Sequence, residues 1–508
     1  MGHIKHLALV EVNGPWVGGP ESGEVNIPPV GLLYLAAAVR QRFGERYKIS
    51  VINLNFDFGS DEEFGRWLIN KRPDIVGLRG LTPYRTRFVR ISSLIKDILP
   101  DATILGGGPI AAVEAERLVK EDIVHFAVKG EGELVTPELM QRLEDGSPSA
   151  DIPGIVFKSR GEVVSTGEPE IIENIDNLPM PDYSMIDVKK YSGAFSYAYN
   201  KRRQGVIVGS RGCPFKCTYC HTIHGKVARV RSAKSLLTEM MLLFDNHGIS
   251  DFYFIEDIFN IDQKRFNQFF EKIIEARGGG FRPRLYFVNG LRGDIISRSQ
   301  IDLMVEAGTI WVLFAIESAS PRLQKYLQKH LDLDKTLDAI EYSISKNIAV
   351  NYCSMYGLPT ETEDEAMETL RFLSSISKPS VVPMHFELKY YQGSGIVKQA
   401  REAGMNEIDL MTLSDSKYHF PQTTSPELPL PKRRGILARF HKERGLKSDE
   451  WVKTALTTLR GIGWDDDDIL GFFSILKNVK YKDLSGLWPR LNREAKAIGR
   501  NVIAGEKV

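Results

Sequence analysis

Three of the four cysteines fall within eight residues, in the segment Gly209-Ser210-Arg211-Gly212-Cys213-Pro214-Phe215-Lys216-Cys217-Thr218-Tyr219-Cys220-His221. In a chain of 508 residues a C-x3-C-x2-C cluster reads as a metal site, because a chain this long buries enough apolar surface to need no disulfide staples. Three thiolates can hold three irons of a [4Fe-4S] cluster and leave the fourth iron without a protein ligand. Electron-transfer clusters ordinarily use four cysteines, so an open iron implies chemistry at the cluster. Other sites share part of the pattern. Cys217-Thr218-Tyr219-Cys220-His221 spells the C-x-x-C-H haem-attachment signal, although it leaves Cys213 unexplained and the N-terminus MGHIKHLALVEV offers no export leader. A Cys3His zinc site using His221 or His224 is a second option, although structural zinc usually pairs cysteines on two separate knuckles. A thioredoxin-like C-x-x-C is a third and has no use for Cys213. Cys353, alone on a strand-like run, reads as a small buried apolar residue, with a catalytic thiol in the barrel interior as its alternative.

The elements that must position these residues form two series. Residues 5–143 alternate strand-like runs (His6–Val12, Ile49–Leu54, Asp74–Leu78, Thr103–Leu105, Val124–Val128) with helix-like ones (Val30–Phe43, Glu62–Ile69, Arg85–Leu99, Ala111–Lys120, Thr136–Leu143). Five β-α repeats predict a doubly wound parallel sheet of the flavodoxin or Rossmann kind, whose ligands bind at the carboxyl ends of the strands. The second series starts at Gly205, with strands expected at Val206–Gly209, Asp251–Ile255, Arg284–Val288, Trp311–Ala315, Val350–Met355 and His385–Tyr390. Amphipathic helices such as Ser232–Phe244 and Gln263–Ala276 fit between them, and six such units predict a partial (β/α)6 barrel with its active site at the C-terminal mouths of the strands. The expected division is 1–145 for the α/β domain, 146–203 for a connector with a hairpin at Gly154–Gly167, 204–395 for the barrel and 396–508 for a mostly helical C-terminal domain. That last region is loop-like as far as Pro431, and its position suggests a cover over the substrate side of the barrel. Its acid run Asp465–Asp468 reads as a helix N-terminus, where carboxylates complement the dipole, rather than as a metal site.

The bulk numbers agree with a globular enzyme of about three domains. The chain is 43% apolar and 26% charged, which is ordinary. Lys and Arg number 66 against 65 for Asp and Glu, and a net charge of +1 gives no electrostatic case for a nucleic-acid partner. No apolar stretch is long enough to span a bilayer, so the expectation is a cytoplasmic protein without a membrane partner.

C-x3-C-x-Tyr-C after a first barrel strand resembles the radical S-adenosylmethionine (SAM) superfamily, and further segments over residues 205–395 resemble it too. Phe254-Ile255-Glu256-Asp257-Ile258-Phe259 is similar to the family's segment after the second strand, which contacts the SAM amino group. Arg292 and Asp294 follow the third strand. Phe314-Ala315-Ile316-Glu317-Ser318-Ala319-Ser320 is similar to a G-x-E-S-x-S segment, with Ala315 in place of Gly. Gly357-Leu358-Pro359-Thr360-Glu361-Thr362 is similar to a G-x-P-G-E-T turn, with Thr360 in place of Gly. The resemblance implies cluster ligands Cys213, Cys217 and Cys220. It implies SAM contacts at Tyr219, Glu256, Asp257, Arg292, Glu317, Ser318, Ser320 and Gly357, with Tyr219 on the adenine side. The implied chemistry is chelation of SAM by the open iron and reductive cleavage to a 5′-deoxyadenosyl radical.

A β-α sheet domain ahead of such a barrel resembles the cobalamin-binding subgroup of that superfamily. The segments that carry this are Ile27–Ala36, Gly106-Gly107-Gly108-Pro109 and Gly130-Glu131-Gly132-Glu133, whose small residues leave room for a broad ring and its threaded nucleotide tail. Implied cobalamin contacts are Pro29, Gly31, Arg79, Thr82, Gly106, Gly107, Gly108, Pro109, Gly130, Glu131, Gly132 and Glu133, with the Arg79–Tyr84 loop facing the lower side of the ring. The D-x-H-x-x-G motif that supplies a lower histidine ligand in cobalamin mutases is absent, which implies base-off cobalamin without a protein histidine. By resemblance the chain is a cobalamin-dependent radical SAM methyltransferase of class B type. Such an enzyme passes a methyl group from SAM through methylcobalamin to a radical-activated carbon of a natural-product-type substrate. That substrate is a small molecule or carrier-bound, and electrons come from a donor such as flavodoxin or ferredoxin. A cyclase, ring-rearranging or dehydrogenating enzyme with the same cofactors is the alternative reaction, and a non-catalytic cobalamin or iron-sulfur sensor is the alternative class. A methylthiotransferase would carry three further cysteines in its first domain, which this chain lacks.

Overall fold

The computed structural model describes residues 5–12, 27–191, 202–220, 223–376, 384–388, 390–391, 393–404, 455 and 457–465. The first domain runs β1 (Lys5–Val12), α1 (Val30–Phe43), β2 (Tyr47–Asn53), α2 (Leu54–Asp57), α3 (Asp61–Lys71), β3 (Ile75–Gly80), α4 (Arg85–Ile98), β4 (Thr103–Gly107), α5 (Gly108–Lys120), β5 (Phe126–Val128) and α6 (Gly132–Asp145). Its strands are continuous apolar runs because helices cover both faces of the sheet. Leu7 and Leu9 pack to one side of β1, and Ala8 and Val10 to the other. The strand order is β2-β1-β3-β4-β5, all parallel, so the order of strand addition reverses between β1 and β3. At such a switch point the crevice at the carboxyl strand ends is the natural binding place. The hairpin expected in the connector forms β6 (Ile155–Ser159) and β7 (Glu162–Ser165) and adds them antiparallel to β5. The sheet is therefore seven-stranded and mixed, and part of the expected connector belongs to it.

The second domain holds six parallel strands in the order β15-β14-β13-β12-β11-β8. In chain order its elements are β8 (Gln204–Ile207), the short pair β9 (Ser210–Arg211) and β10 (Arg229–Val230), α7 (Ala233–His247), β11 (Asp251–Phe254), α8 (Gln263–Gly278), β12 (Arg284–Leu291), α9 (Arg298–Ala307), β13 (Thr309–Glu317), α10 (Pro321–Tyr326), α11 (Leu333–Ser345), β14 (Ala349–Tyr356), α12 (Glu363–Ser375), β15 (Met384–Glu387) and α13 (Gly395–Glu402). Neighbouring order without crossing is what successive β-α units give when they curl into an open barrel. Residues of alternate parity along each strand face out to the helices or into the lumen. Outward residues Phe254 and Phe287 stack at 4.8 Å and meet Phe259, Phe266, Phe269 and Phe270 from the loop after β11 and from α8. Inward residues Leu313, Ala315 and Cys353 form a small apolar cluster of their own.

One expectation for the C-terminal region needs correction. The stretch after residue 396 does not open as a loop: α13 lies against the cysteine segment, with Ile396 N donating to Thr218 O at 2.7 Å. Of the rest of that region, residues 455 and 457–465 are described, and they lie away from the mouth. Trp464 stacks on Trp311 at 5.6 Å, near the N-terminal ends of the strands, beside the stacked pair Tyr253 and Tyr286 at 4.2 Å. Asp466–Asp468, and with them the expected helix start, lie outside the described residues.

Candidate active site

The loop that follows β8 carries Cys213, Cys217 and Cys220, all free thiols, with Cys220 exposed and the other two half-buried. Backbone bonds anchor the loop at several points. Gly212 N donates to Asp257 Oδ2 at 2.8 Å, Cys213 N to Gly225 O at 3.4 Å, Thr218 N to Leu327 O at 2.9 Å and Cys220 N to Cys217 O at 3.2 Å. The Arg292 guanidinium lies 3.9 Å above the Phe215 ring. Burial raises the pKa of the half-buried Cys213 thiol. Iron must therefore displace a proton to gain this thiolate. Among the described residues no three His, Cys, Asp or Glu side chains stand close enough to hold one ion. A cubane asks for a different arrangement, one soft sulfur on each of three irons, and the anchored loop offers that donor set.

Gly212 explains why the cysteines can sit as they do. Its φ is +81°, and a Cβ there would lie 2.3 Å from Val227 O. Left-handed backbone alone costs a side chain roughly 1–2 kcal/mol, and the clash cannot relax because the opposing atom is backbone. Gly212→Ala is expected to leave a folded chain whose iron and sulfide content after reconstitution is several-fold lower. Full iron loading of that variant would show that the tight turn is dispensable.

Opposite the loop, at the carboxyl end of β13, Glu317 has φ +68° at an irregularity in the β13–β14 register. Its Oε1 accepts from Tyr219 OH at 3.1 Å and from Lys329 Nζ at 3.4 Å. Lys329 is 7% exposed, and Glu317 is its only ion-pair partner among the described residues. The loop that presents it is over-determined. Gln328 and His330 both have left-handed φ (52° and 47°), and Arg292 donates to Lys329 O at 3.0 Å and His330 O at 3.1 Å. Non-glycine residues held in that region mark strain that the surroundings maintain, and such strain clusters at functional sites. Lys329 was not among the expected site residues.

Other expected residues are placed differently. Asp257 lies exposed at the mouth, but its neighbour Glu256 is buried, ion-paired with Arg265 at 3.4 Å and tucked under Gly209. Burial raises the Glu256 pKa. Ser318 Oγ meets Thr369 Oγ1 at 3.2 Å, and Ser320 caps α10 and donates to Glu365 at 2.8 Å. Arg292 is held bidentate by Asp294 at 2.9 and 2.6 Å. Gly357 N donates to Glu361 Oε2 at 2.5 Å and shapes the turn after β14. Tyr219, Asp257, Glu317 and Gly357 thus sit at the mouth, whereas Glu256, Ser318, Ser320 and Arg292 brace it.

In the first sheet, Arg79 and Glu11 pair across β3 and β1 at the switch point. Glu11 is buried, its pKa raised by burial against the pull of Arg79, and its Oε2 has no partner among the described residues. Two glycines leave room for Arg79. A Cβ on Gly31 would lie 3.5 Å from its Nε, and one on Gly108 (φ +76°) would lie 2.8 Å from its Cγ. Pro29 caps α1, Thr82 is buried at the start of a short turn, Gly106 and Gly107 end β4, and Pro109 opens α5. Small residues and an orphaned polar atom at one strand-end crevice fit a large ligand bearing polar groups, as cobalamin does. Gly130 and Gly132 flank Glu131, but the Glu131 and Glu133 carboxylates point elsewhere. Arg211 donates to Glu131 Oε1 at 2.8 Å and to Glu133 Oε1 at 2.5 Å, and Arg229 to Glu131 Oε2 at 2.6 Å. Both carboxylates are thus taken up by arginines of the barrel domain. Glycine-rich composition cannot disclose partners about 80 and 98 residues away.

Two family models match: "Radical SAM superfamily" over residues 207–373 and "B12 binding domain" over residues 22–140. An uncharacterized methyltransferase of Pyrococcus horikoshii is 27% identical over 352 residues, which are 69% of this chain and 73% of that protein. The anaerobic magnesium-protoporphyrin IX monomethyl ester cyclase of Rubrivivax gelatinosus is 26% identical over 373 residues, which are 72% of this chain and 63% of the cyclase. The radical SAM methyltransferase TsrM of Kitasatospora setae, solved with cobalamin and a [4Fe-4S] cluster, superposes with a TM-score of 0.70 over 94% of this chain and 99% of TsrM, at 17% identity. That last likeness is one of fold. Among the described residues no helix is long and apolar enough to cross a membrane.

Proposed function

Starting from a chain that is a radical SAM enzyme carrying a B12-binding domain, we propose that it is a C-methyltransferase acting on a small-molecule substrate. The observation that carries the reading is the facing of two sites: the anchored three-cysteine loop at the barrel mouth, and the strand-end crevice of the first sheet, joined through Arg211 and Glu131. The methyltransferase relative supports it. When bound, the cluster, SAM and cobalamin supply an electron, a carbon-activating radical and a transferable methyl group.

The chain's own residues bind and orient. Cys213, Cys217 and Cys220 hold the cluster, and Asp257 fixes the start of their loop. Glu317 and Tyr219 take the ribose and adenine side of SAM, and Lys329, whose ammonium retains donors beyond its bond to Glu317, takes the carboxylate. Gly357 lets the turn after β14 pass close to the bound nucleoside. Arg79, Gly31, Gly107 and Gly108 shape the cobalamin crevice, which offers no histidine in a D-x-H-x-x-G motif. Apolar Leu313, Ala315 and Cys353 line the lumen and keep water away from a reactive carbon centre. An electron donor such as a flavodoxin or ferredoxin completes the system.

The cyclase relative favours a second reading, a ring-forming reaction with the same cofactors. Turnover with methyl-labelled SAM separates the two. The methyltransferase places label in the product, whereas deoxyadenosine formed without labelled product indicates the cyclase. A protein that binds both cofactors and never cleaves SAM would be a sensor, and the proposal would fall.

A further inference from the structure

We propose that the buried Arg211–Glu131–Glu133–Arg229 group is a positioning device that couples cobalamin binding in the first domain to cluster assembly in the second. The inference rests on the cofactor reading above and deepens it.

Arg211 and Arg229 are register partners in the β9–β10 ladder, the neck of the loop that bears all three cysteines. Arg211 lies two positions before Cys213. Both guanidiniums reach out of the barrel domain to the first turn of α6. There Glu131 is the N-cap, and Glu133 follows inside the helix. The four side chains are each less than a tenth exposed. Two positive and two negative charges balance, and the helix N-terminus adds its own attraction for the carboxylates. Arg229 also donates to Ile172 O at 2.7 Å, and Ile172 N donates to Glu131 Oε2 at 2.8 Å, so neither arginine nor carboxylate is free to swing. A pair this buried holds only with both partners in place.

Glu131 and Glu133 follow β5 at the same end of the first sheet as Gly107, Gly108 and Arg79, so the cluster loop's neck grips a turn next to the cobalamin crevice. Irons held by the three cysteines would add a further constraint to the neck. Ordering the neck orders Arg211, and Arg211 orders the Gly130–Glu133 turn. Whichever cofactor arrives second then finds part of the ordering cost already met, which is positive coupling. A second contact keeps the domains assembled if the clamp is weakened. Arg231 donates to Tyr34 OH at 2.9 Å and to Glu239, and Tyr183 OH to Glu239 Oε1 at 3.2 Å.

The test is a hydroxocobalamin titration of the full chain, followed by visible absorbance, with the cluster reconstituted and with it absent. Wild-type protein is expected to bind cobalamin about ten-fold more tightly when the cluster is in place, a size ordinary for coupled sites. Glu133→Gln removes one carboxylate, and Arg211→Lys keeps the charge but loses the fork that spans two partners. Both are expected to bring the ratio to within about two-fold of unity while far-ultraviolet circular dichroism and thermal unfolding show a folded chain. A wild-type ratio of one, or a folded Arg211→Lys protein with the wild-type ratio, would overturn the inference. So would variants that lose cobalamin affinity equally in both forms, since Glu133 would then be a direct contact. A wild-type chain that takes up no cobalamin in either form would instead sink the functional reading, and the coupling with it.

Discussion

Replacing Cys213, Cys217 or Cys220 by alanine is expected to abolish deoxyadenosine formation and the broad visible absorbance of the reconstituted protein, each substitution alone being sufficient. With three sulfurs for three irons there is no spare ligand, so the loss is all or none rather than graded. Cys353→Ala is the internal control. Its thiol packs with Leu313 and Ala315 on the strands of the barrel, outside the loop that carries the other three cysteines. Iron content and SAM cleavage are expected to survive that change. If Cys353→Ala strips the iron, the assignment of three ligands from the loop is wrong. If one of the loop variants retains full cleavage, so is the assignment of that cysteine.

Lys329→Gln is expected to weaken SAM binding by about 2 kcal/mol or more, roughly thirty-fold, with the cluster content unchanged. The argument is geometric. A buried lysine held by left-handed neighbours, with Glu317 as its ion-pair partner, keeps ammonium donors for a bound anion. Electron paramagnetic resonance of the reduced cluster during SAM titration reads the affinity directly. The Glu317→Gln, Lys329→Gln pair separates two routes. If Lys329 acts only by neutralising Glu317, the double variant recovers the affinity that Lys329→Gln loses. If it holds SAM itself, the double variant stays as weak or becomes weaker. Unchanged affinity in the single variant would remove Lys329 from the site.

Much of the architecture was legible because its signals are local. Pro28 and Pro29 before an apolar run, and Gly44 after it, bound α1 at the expected residues Val30–Phe43. The six barrel strands appear near their expected places because each is a short β-branched or aromatic run between amphipathic helices. The cysteine spacing is equally local. What was missed depends on contacts across the chain. Glu256 and Asp257 are adjacent, so only one can face the mouth, and nothing local says which. Glu131 and Glu133 look like polar members of a glycine-rich ligand loop until Arg211 and Arg229 arrive from another domain. Lys329 is one lysine in a polar stretch, and its role rests on backbone angles at Gln328 and His330 that no propensity scale foresees. The hairpin at residues 155–165 was visible as a hairpin, but its pairing with β5 is a tertiary choice.

The Trp311–Trp464 stack has a consequence for traffic. With Tyr253 and Tyr286 fully buried beside it, four large rings fill the space near the N-terminal ends of β11, β12 and β13. A molecule bound at the mouth would then exchange by the carboxyl-end rim, or by the seam between β8 and β15, the two edge strands of the sheet. Departure then becomes a queue, and a bulky molecule at the rim holds back whatever lies deeper.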